Sequence, residues 1–260
     1  MEVADRVAIV TGASRGIGKR LAVELGRAGI RVVVVARTVE ARKHLPGTLW
    51  QTAEAIEASG GVAHTVAADL ARPDDLDRVV SDTLVAFGRI DILVNNAAAT
   101  ADRAWGAALA DLTLDAWKRQ FDVNLHAPYA LLRAAAPIMA ANGGGRIINL
   151  TTGRHGGEGG PVPGVATPLA YPASKAALDQ LCVSVAPQLR ALGVSIVNVN
   201  PGFVRTEMVE LMEQAGVDAS AAIPIDVPTK ALVHLACCAD PFAYHGMVVD
   251  AAELVRREGL

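Results

Sequence analysis

The chain of 260 residues has few of the features that mark several protein classes. Aromatic residues make up 4% of it, and the net charge is only −3, with basic residues scattered along the chain. Electrostatics therefore give no reason to expect a nucleic acid as partner. The three cysteines, Cys182, Cys237 and Cys238, do not have the spacing of metal ligands. Their odd number indicates reduced thiols in a cytosolic protein. We expect all three thiols in the core.

Long apolar runs are also lacking. No stretch approaches the ~20 apolar residues of a membrane span, and the start at Met1–Arg6 has no signal-peptide pattern. We therefore expect a cytoplasmic protein without a membrane partner. Hydrophobic residues nevertheless make up 52% of the chain. At this length, such a content indicates a large buried core, which we assign to a single domain over residues 1–260.

A glycine-rich turn follows the first predicted strand, Val7–Val10. The segment Thr11–Gly18 comes next, and an apolar helical pattern follows it. Glycines let the backbone approach a pyrophosphate, and the helix N-terminus supplies amide donors and partial positive charge. Gly12, Gly16 and Gly18 fit the spacing Thr-Gly-x-x-x-Gly-x-Gly. This pattern predicts a dinucleotide site, and an ordinary glycine-rich turn between strand and helix is the alternative.

Positive charge stands at the end of the second predicted strand, Arg31–Ala36. A carboxylate at this place would bind the ribose 2′-hydroxyl of a dinucleotide. The chain instead has Arg37 and Thr38, and Arg15 in the glycine turn adds a second cation. Because this set suits a 2′-phosphate, we predict NADP(H) in preference to NAD(H). The alternative is that Arg37 is a solvated loop cation.

Polar residues follow the next two predicted strands. Asp69 ends the strand Val62–Ala67 and could accept from an adenine amino group, although a helix N-cap is an equal alternative. Asn95–Ala98 follow the strand Asp91–Val94. Paired amides and small residues at this point can tie strand ends together and let a ligand lie against the backbone, or they can form a simple polar turn.

The middle of the chain holds a polar residue among apolar ones. Asn124 lies within one or two helices predicted between Trp105 and Met139, and a buried amide there either binds backbone carbonyls or holds a water. Further on, the strand Arg146–Leu150 ends in two threonines. Residues 153–167 are so rich in glycine and proline that we predict a loop of unusual length.

A tyrosine and a lysine share one face of a helix predicted from Tyr171 to about Leu192. Tyr171 and Lys175 are four residues apart, which makes them neighbours on a helix. A phenol normally loses its proton near pH ~10, and a fixed cation favours the phenolate, so the pair can act as an acid and base near neutrality. Alone, this motif is weak, because an exposed lysine beside a half-buried tyrosine is common.

Strands and helices alternate along the whole sequence. A further strand is predicted at Val194–Asn200, a helix near Thr229–Ala239 and a last strand at Met247–Asp250. This alternation predicts an α/β fold with a doubly wound parallel sheet.

In chain order, the motifs resemble the short-chain dehydrogenase/reductase family over nearly the whole sequence. They are Thr11–Gly18, Asp69, Asn95–Ala97, Asn124, Tyr171-x-x-x-Lys175 and Pro201–Gly202. The resemblance implies a Rossmann fold of about seven strands with helices on both faces, a nicotinamide cofactor, and hydride transfer between an alcohol and a carbonyl of a small molecule. It also implies a homodimer or homotetramer. A looser similarity, at Leu45–Thr48 and Thr52–Glu57, is to the hydroxysteroid-dehydrogenase-like branch.

The resemblance further implies roles for individual residues. The equivalent of Tyr171 exchanges a proton with the substrate oxygen. That of Lys175 binds the nicotinamide ribose and lowers the tyrosine pKa, and that of Asn124 orders a proton-relay water. The turn with Val204 and Thr206 meets the carboxamide. No metal is expected, and the implied cofactor-binding residues are Gly12, Ser14, Arg15, Gly16, Ile17, Gly18, Arg37, Asp69, Leu70, Asn96, Ala97, Tyr171, Lys175, Pro201, Gly202, Val204 and Thr206.

The sequence departs from the family pattern at the serine that polarises the substrate carbonyl. About 13 residues before the tyrosine, where this serine is usual, the chain has Glu158. Alignment from the preceding strand instead puts Thr152 in the serine position and makes the loop an insertion. A threonine hydroxyl can donate the same bond, with a stiffer rotamer and a narrower pocket. Thr151, or no hydroxyl at all, are the alternatives. Ala98, where glycine is usual, is a small change.

The predicted function is that of an NADP(H)-dependent carbonyl reductase or alcohol dehydrogenase. The missing serine and the inserted loop motivate an alternative, a catalytically weak NADP(H)-binding sensor or scaffold protein. An epimerase or dehydratase is a third possibility, for which the chain is short. We expect residues 153–167 and 208–224 to line the substrate pocket, and neither segment has a charge pattern that names the substrate.

Overall fold

A parallel seven-stranded sheet forms the centre of the protein in a computed structural model, which describes residues 6–40, 46–99, 111–153 and 169–260. The strand order is β3-β2-β1-β4-β5-β6-β7, and it reverses between β1 and β4. The predicted doubly wound Rossmann fold is confirmed. The strands are β1 Val7–Thr11, β2 Arg31–Ala36, β3 Ala63–Ala67, β4 Ile92–Asn95, β5 Gly145–Leu150, β6 Val194–Asn200 and β7 Val248–Asp250.

Helices cover both faces of this sheet. They are α1 Gly16–Arg27, α2 Leu49–Ala58, α3 Pro73–Phe87, α4 Leu114–Phe121, α5 Ala127–Ala141, α6 Ala170–Ala191, α7 Glu207–Gln214, α8 Asp226–Cys237 and α9 Ala251–Glu258. A π-helical turn, Asp122–His126, joins α4 to α5. Within the described ranges, no helix is both long and apolar enough to cross a membrane.

Two apolar cores lie on the two faces of the sheet. Ala8 and Val10 of β1 face the core that contains α1, α2, α8 and α9. Val7 and Ile9 face the opposite core, which contains α3, α5 and α6. Every second side chain of a strand points to the same face, so both faces of a central strand must be apolar when helices cover both. This requirement explains the continuous apolar run Val32–Val35 in β2.

Most element bounds lie within one to three residues of their prediction, with clear exceptions. Helices α7 and α9 were not predicted, and the π-helical turn interrupts the helical stretch that contains Asn124. The cysteine prediction holds only in part. Cys182 is buried, whereas Cys237 and Cys238 at the end of α8 are half-buried. Both lie at the carboxyl end of α8, where Cys237 packs against the edge of the core and Cys238 follows the last helical residue.

Candidate active site

A cleft of about 430 Å³ opens at the carboxyl ends of β1 to β4, where the strand order reverses. In open α/β sheets, ligands bind in such a crevice. Eight of the predicted cofactor residues line it: Gly12, Ser14, Arg15, Arg37, Asp69, Leu70, Asn96 and Ala97. Arg119 and Met208 also line it, and neither is among the cofactor residues predicted from the sequence.

Gly12 and Gly18 make room for the Asn96 side chain. A Cβ at Gly12 would lie 2.9 Å from Asn96 Nδ2 and 2.7 Å from Ala97 Cα, and a Cβ at Gly18 would overlap the same amide. Asn96 Nδ2 donates to the backbone oxygens of Thr11 at 2.8 Å and of Gly12 at 3.1 Å. These two glycines therefore let β4 close against the turn, a packing role beside the predicted one toward a pyrophosphate.

The Thr11 hydroxyl completes this junction between β1 and β4. It accepts from the backbone N–H groups of Asn96 at 3.0 Å and Ala97 at 3.1 Å. It also donates to Val94 O at 3.2 Å. A buried hydroxyl with three partners is fully satisfied, so the floor of the cleft is rigidly joined beneath the glycine turn.

Gly16 differs from the other two glycines of the motif. Its φ is +56°, which favours glycine, and a Cβ there would meet nothing nearer than Thr206 Cγ2 at 3.5 Å. Its N–H, the first of α1, donates to Glu207 Oε2 at 3.0 Å. A carboxylate from α7 thus satisfies one of the amide groups that a helix N-terminus offers to anions.

This contact brings the turn after β6 to the glycine motif. Thr206 and Glu207 lie beside Gly16, while Val204 is buried and forms a bridge to Ile223. Ile17 and Gly18 lie in the first turn of α1, and Pro201 and Gly202 directly follow β6. Sequence reasoning missed Glu207, because a single acidic residue in a segment without clear periodicity gives no signal of its partner.

Two cations stand at the β2 end of the cleft. Arg15 Nη2 donates to Thr38 Oγ1 at 3.3 Å and to Gly47 O at 3.0 Å. Arg37 lines the cleft and is exposed. The contacts of Arg15 fix its guanidinium at the rim, and Arg37 can reach a ligand without first breaking a buried contact.

Asp69 forms an ion pair across the cleft wall. Its Oδ2 lies 3.2 Å from Arg119 Nη2, and its Oδ1 accepts from Ala71 N at 3.2 Å. Burial raises the pKa of Asp69, but the bonds from Ala71 and Arg119 and the charge of Arg37 outweigh it, so the pKa is lowered. The alternative that Asp69 caps the next helix is wrong, because the N-cap of α3 is Arg72 and the nearby N–H that Asp69 accepts from, that of Ala71, lies before this helix.

Tyr171 and Lys175 lie on α6, one turn apart. Tyr171 is half-buried, whereas Lys175 is 2% exposed, which excludes the alternative of an exposed lysine beside the tyrosine. Lys175 Nζ donates to Leu150 O at 2.6 Å and lies 5.9 Å from the centroid of the Tyr171 ring. Burial lowers the pKa of Lys175 to about 8, against an opposing effect of Asp179. Buried, perturbed cations of this kind concentrate at functional sites.

Asn124 is fully buried in the π-helical turn. Its Oδ1 accepts from Ala99 N at 2.8 Å, and its Nδ2 donates to Ser174 Oγ at 3.0 Å. Ser174 Oγ donates in turn to Tyr171 O at 2.8 Å. The side chain thus bonds a backbone N–H and a serine hydroxyl, in place of the backbone carbonyls that were one expectation for it. It holds the Tyr171 turn of α6 to the segment after β4.

Two threonines follow β5 beneath this turn. Thr151 Oγ1 lies 3.5 Å from Lys175 O, and Thr152 is 9% exposed. Glu158 and most of the predicted loop lie outside the described residues, as does Leu45 of the looser similarity. Thr152 lies two residues after β5, and the last carbonyl of this strand, Leu150 O, accepts the hydrogen bond from Lys175.

Known proteins resemble the chain in sequence and structure. A model of the short chain dehydrogenase family matches residues 6–216. A 3-oxoacyl-[acyl-carrier-protein] reductase of Synechocystis sp. is 38% identical over 79% of this chain and 76% of its own. An uncharacterized oxidoreductase of Mycobacterium tuberculosis is 34% identical over 92% of this chain and 88% of its own.

A solved structure extends the similarity to the whole fold. A metagenomic short-chain oxidoreductase in complex with NADP is 36% identical and superimposes with a TM-score of 0.75, covering 96% of this chain and 99% of that one. Sequence motifs, sheet order and relatives agree. The chain therefore belongs to the short-chain dehydrogenase/reductase family of nicotinamide-dependent oxidoreductases.

Proposed function

We propose that the protein interconverts a carbonyl and a secondary alcohol of a small molecule, with NADP(H) as cofactor and Tyr171 as the proton donor and acceptor. The observation that carries this proposal is the buried Lys175 ammonium, held 5.9 Å from the Tyr171 ring at the end of β5. A cation fixed so close to a phenol favours its ionised form. Burial of this charge costs stability, and a protein that only binds the cofactor as a scaffold would gain no activity in return.

The residues of the cleft fit a dinucleotide with a 2′-phosphate. The Gly16 N–H already binds a carboxylate oxygen in this structure, so the N-terminus of α1 accommodates an oxyanion. Arg15 and Arg37 line the cleft beside the end of β2, where they would bind the 2′-phosphate. Asn96, Ala97, Val204 and Thr206 would position the nicotinamide, and Lys175 would bind its ribose. The bound cofactor supplies or accepts the hydride.

Side chains of the protein transfer the proton that accompanies the hydride. In carbonyl reduction, the Tyr171 hydroxyl donates its proton to the oxygen that gains negative charge, and Lys175 stabilises the phenolate that remains. Asn124 holds the backbone of this turn through Ser174. Thr152 would donate a hydrogen bond to the substrate oxygen. We also propose a homodimer or homotetramer of closed symmetry, as the family resemblance implies.

A substrate screen tests the proposed function. The purified protein is mixed with NADPH and a panel of ketones, aldehydes and 3-oxoacyl thioesters, and the loss of NADPH absorbance is followed. At least one carbonyl class should be reduced with turnover that saturates in both substrates. NADPH binding without turnover of any class would instead favour a sensor or scaffold.

Arg37→Ala should weaken NADPH binding and leave NADH binding nearly unchanged. The lost charge-assisted contact to the 2′-phosphate corresponds to about 1.5 to 3 kcal/mol, or roughly 10- to 100-fold in Kd. Fluorescence titrations with each cofactor measure the change, and Arg256→Ala on the exposed side of α9 is the matched control. Equal affinity of the parent protein for NADH and NADPH would contradict the assignment.

Thr152→Val should lower kcat by about 10²-fold, the scale for loss of one hydrogen-bond donor to a developing oxyanion. The substitution keeps the shape and removes only the hydroxyl, so the Kd of NADPH should not change. Thr152→Ser should retain activity, and Thr151→Val is the neighbouring control. Unchanged turnover in Thr152→Val would assign the contact to Thr151 or to the loop after residue 153.

A further inference from the structure

Three buried asparagines form a row across the sheet under α6. Asn95 of β4 is in register with Asn149 of β5, and Asn149 with Asn198 of β6. Asn95 Nδ2 donates to Asn149 Oδ1 at 2.8 Å, and Asn149 Nδ2 donates to Asn198 Oδ1 at 2.8 Å. All three side chains lie among apolar residues, where an unpaired amide is costly. The last amide of the row therefore needs a hydrogen-bond acceptor.

That end is Asp179 on α6. Asn198 Nδ2 donates to Asp179 Oδ1 at 2.6 Å and to Leu178 O at 3.1 Å. Every amide of the row donates in the same direction, toward α6, so the dipoles of the side chains add and their positive end meets the carboxylate. Hydrogen bonds that reinforce one another in this way favour a negative charge at the last acceptor.

Asp179 follows Lys175 by one helical turn on α6. Side chains four residues apart are neighbours on a helix. Lys175 is nearly fully buried, and a buried ammonium without a counter-charge loses its proton readily. Leu150 O gives it one acceptor but no charge. The Asp179 carboxylate opposes the effect of burial on the pKa of Lys175.

We propose that Asp179 is a positioning residue that keeps Lys175 charged, and that the row Asn95, Asn149 and Asn198 holds the Asp179 carboxylate in place for this purpose. The inference rests on the proposed function, in which the charged Lys175 acts on Tyr171. Asp179 itself does not touch substrate or cofactor. The sheet interior, from β4 to β6, thus takes part in setting the charge of the catalytic pair.

Few other titratable groups face Lys175 and Asp179 from the described parts of the neighbouring elements. On α6 they are Tyr171 and Cys182. Burial, followed by the Asp179 charge, raises the pKa of Cys182 to about 12, so this thiol stays neutral at working pH. The other neighbouring groups do not titrate. They are the Leu150 carbonyl and the Thr151 hydroxyl at the end of β5, the Asn198 amide of β6 and the Asn124 amide of the π-helical turn.

NMR titration of the lysine side chains tests the proposal directly. The chain has only five lysines, so a sample labelled with ¹³C at lysine Cε gives few signals, and Lys175 is identified by its absence in Lys175→Arg. In the parent protein, Lys175 should titrate near pH 8. In Asp179→Asn, which keeps an oxygen acceptor for Asn198 and removes the charge, its pKa should fall by about one unit or more, the scale of a nearby charge at an effective dielectric constant of ~20.

Glu57→Gln is the matched control, because it removes one exposed carboxylate from α2. The pKa of Lys175 should remain at its parental value in this variant. An unchanged pKa in Asp179→Asn would overturn the proposal. If Asp179→Asn does not fold, Asp179→Ser removes the same charge and is judged by the same criterion.

The pH profile of turnover supplies the catalytic readout. If Asp179 keeps Lys175 protonated, kcat/KM for ketone reduction should decline as Lys175 loses its proton. This decline should occur at a pH about one unit lower in Asp179→Asn than in the parent. A merely structural role would lower the rate at all pH values without moving the profile, and that result would overturn the proposal. The NMR titration needs no turnover, so it judges Asp179 even if the proposed reaction is wrong.

Discussion

Tyr171→Phe is expected to lower the rate of ketone reduction with NADPH by at least ~10² to 10⁴, the range for loss of a general acid. The substitution removes one oxygen from a half-buried ring, and the ring still packs on α6. The developing alkoxide would lose its proton source. NADPH affinity should stay near the parental value, because the contacts proposed for the glycine turn and for Arg37 do not involve the phenol.

Steady-state kinetics and fluorescence titration measure the two quantities separately. Tyr129→Phe on α5 is the matched control, because Tyr129 is 47% exposed and has no proposed role. This control should reduce the same ketone at the parental rate. A Tyr171→Phe enzyme that also does so would remove Tyr171 from the mechanism and leave Tyr171 and Lys175 as a structural pair.

The fold could be predicted because its signals are local. Short apolar runs rich in valine and isoleucine mark buried parallel strands, and β2 and β6 begin and end where predicted. Helix α7 was missed because Glu207–Gln214 has only 8 residues, too few to establish a helical period, and only Val209 in it is buried. Its position depends on contacts with α1 that lie 191 residues away in the chain.

The residue types at the candidate site were also predictable, but their contacts were not. The motif predicted glycines at 12 and 18 for a close ligand, whereas the structure shows that Asn96 occupies the space beside them. Whether Lys175 is exposed or buried could not be read from a spacing of four residues. Its burial depends on β5, whose last carbonyl receives the ammonium, and on the packing of α6 over the sheet.

The contacts of Asp179 could not be predicted from the sequence either. In the sequence, it is one acidic residue in an amphipathic helix, the usual sign of a solvated position. Its partner Asn198 lies on the following strand, and the two further amides lie on strands that come earlier in the chain. Only the strand register aligns these side chains, and no local pattern reports a register across three strands.

Lys175→Met is expected to impair catalysis and to change how stability depends on pH. Loss of the cation lets the pKa of Tyr171 rise, so alcohol oxidation should require a higher pH, and loss of the ribose contact should raise the Kd of NADPH. The stability effect follows from the pKa of Lys175, which burial lowers from 10.5 to about 8 in the folded protein.

The sign of that effect is fixed by proton linkage. Between pH 8 and 10.5, the unfolded chain holds a proton at Lys175 that the folded protein has lost, so the free energy of unfolding of the parent rises with pH in this window. Below pH 8, the folded protein bears the full cost of the buried charge. The difference between the two limits is about 3 kcal/mol, at 1.36 kcal/mol per pKa unit.

Urea unfolding of the parent and of Lys175→Met at pH 7 and at pH 10.5 measures this difference. The parent should gain about 3 kcal/mol relative to the variant between the two pH values. The bond to Leu150 O is lost in the variant at both pH values, so it shifts the two measurements equally and does not affect the comparison.

Lys118→Met, at an exposed position on α4, is the control and should show the pH dependence of the parent. Parallel pH dependence in Lys175→Met and the parent would mean that Lys175 keeps an ordinary pKa, and the effect of burial on this ammonium would then be wrong.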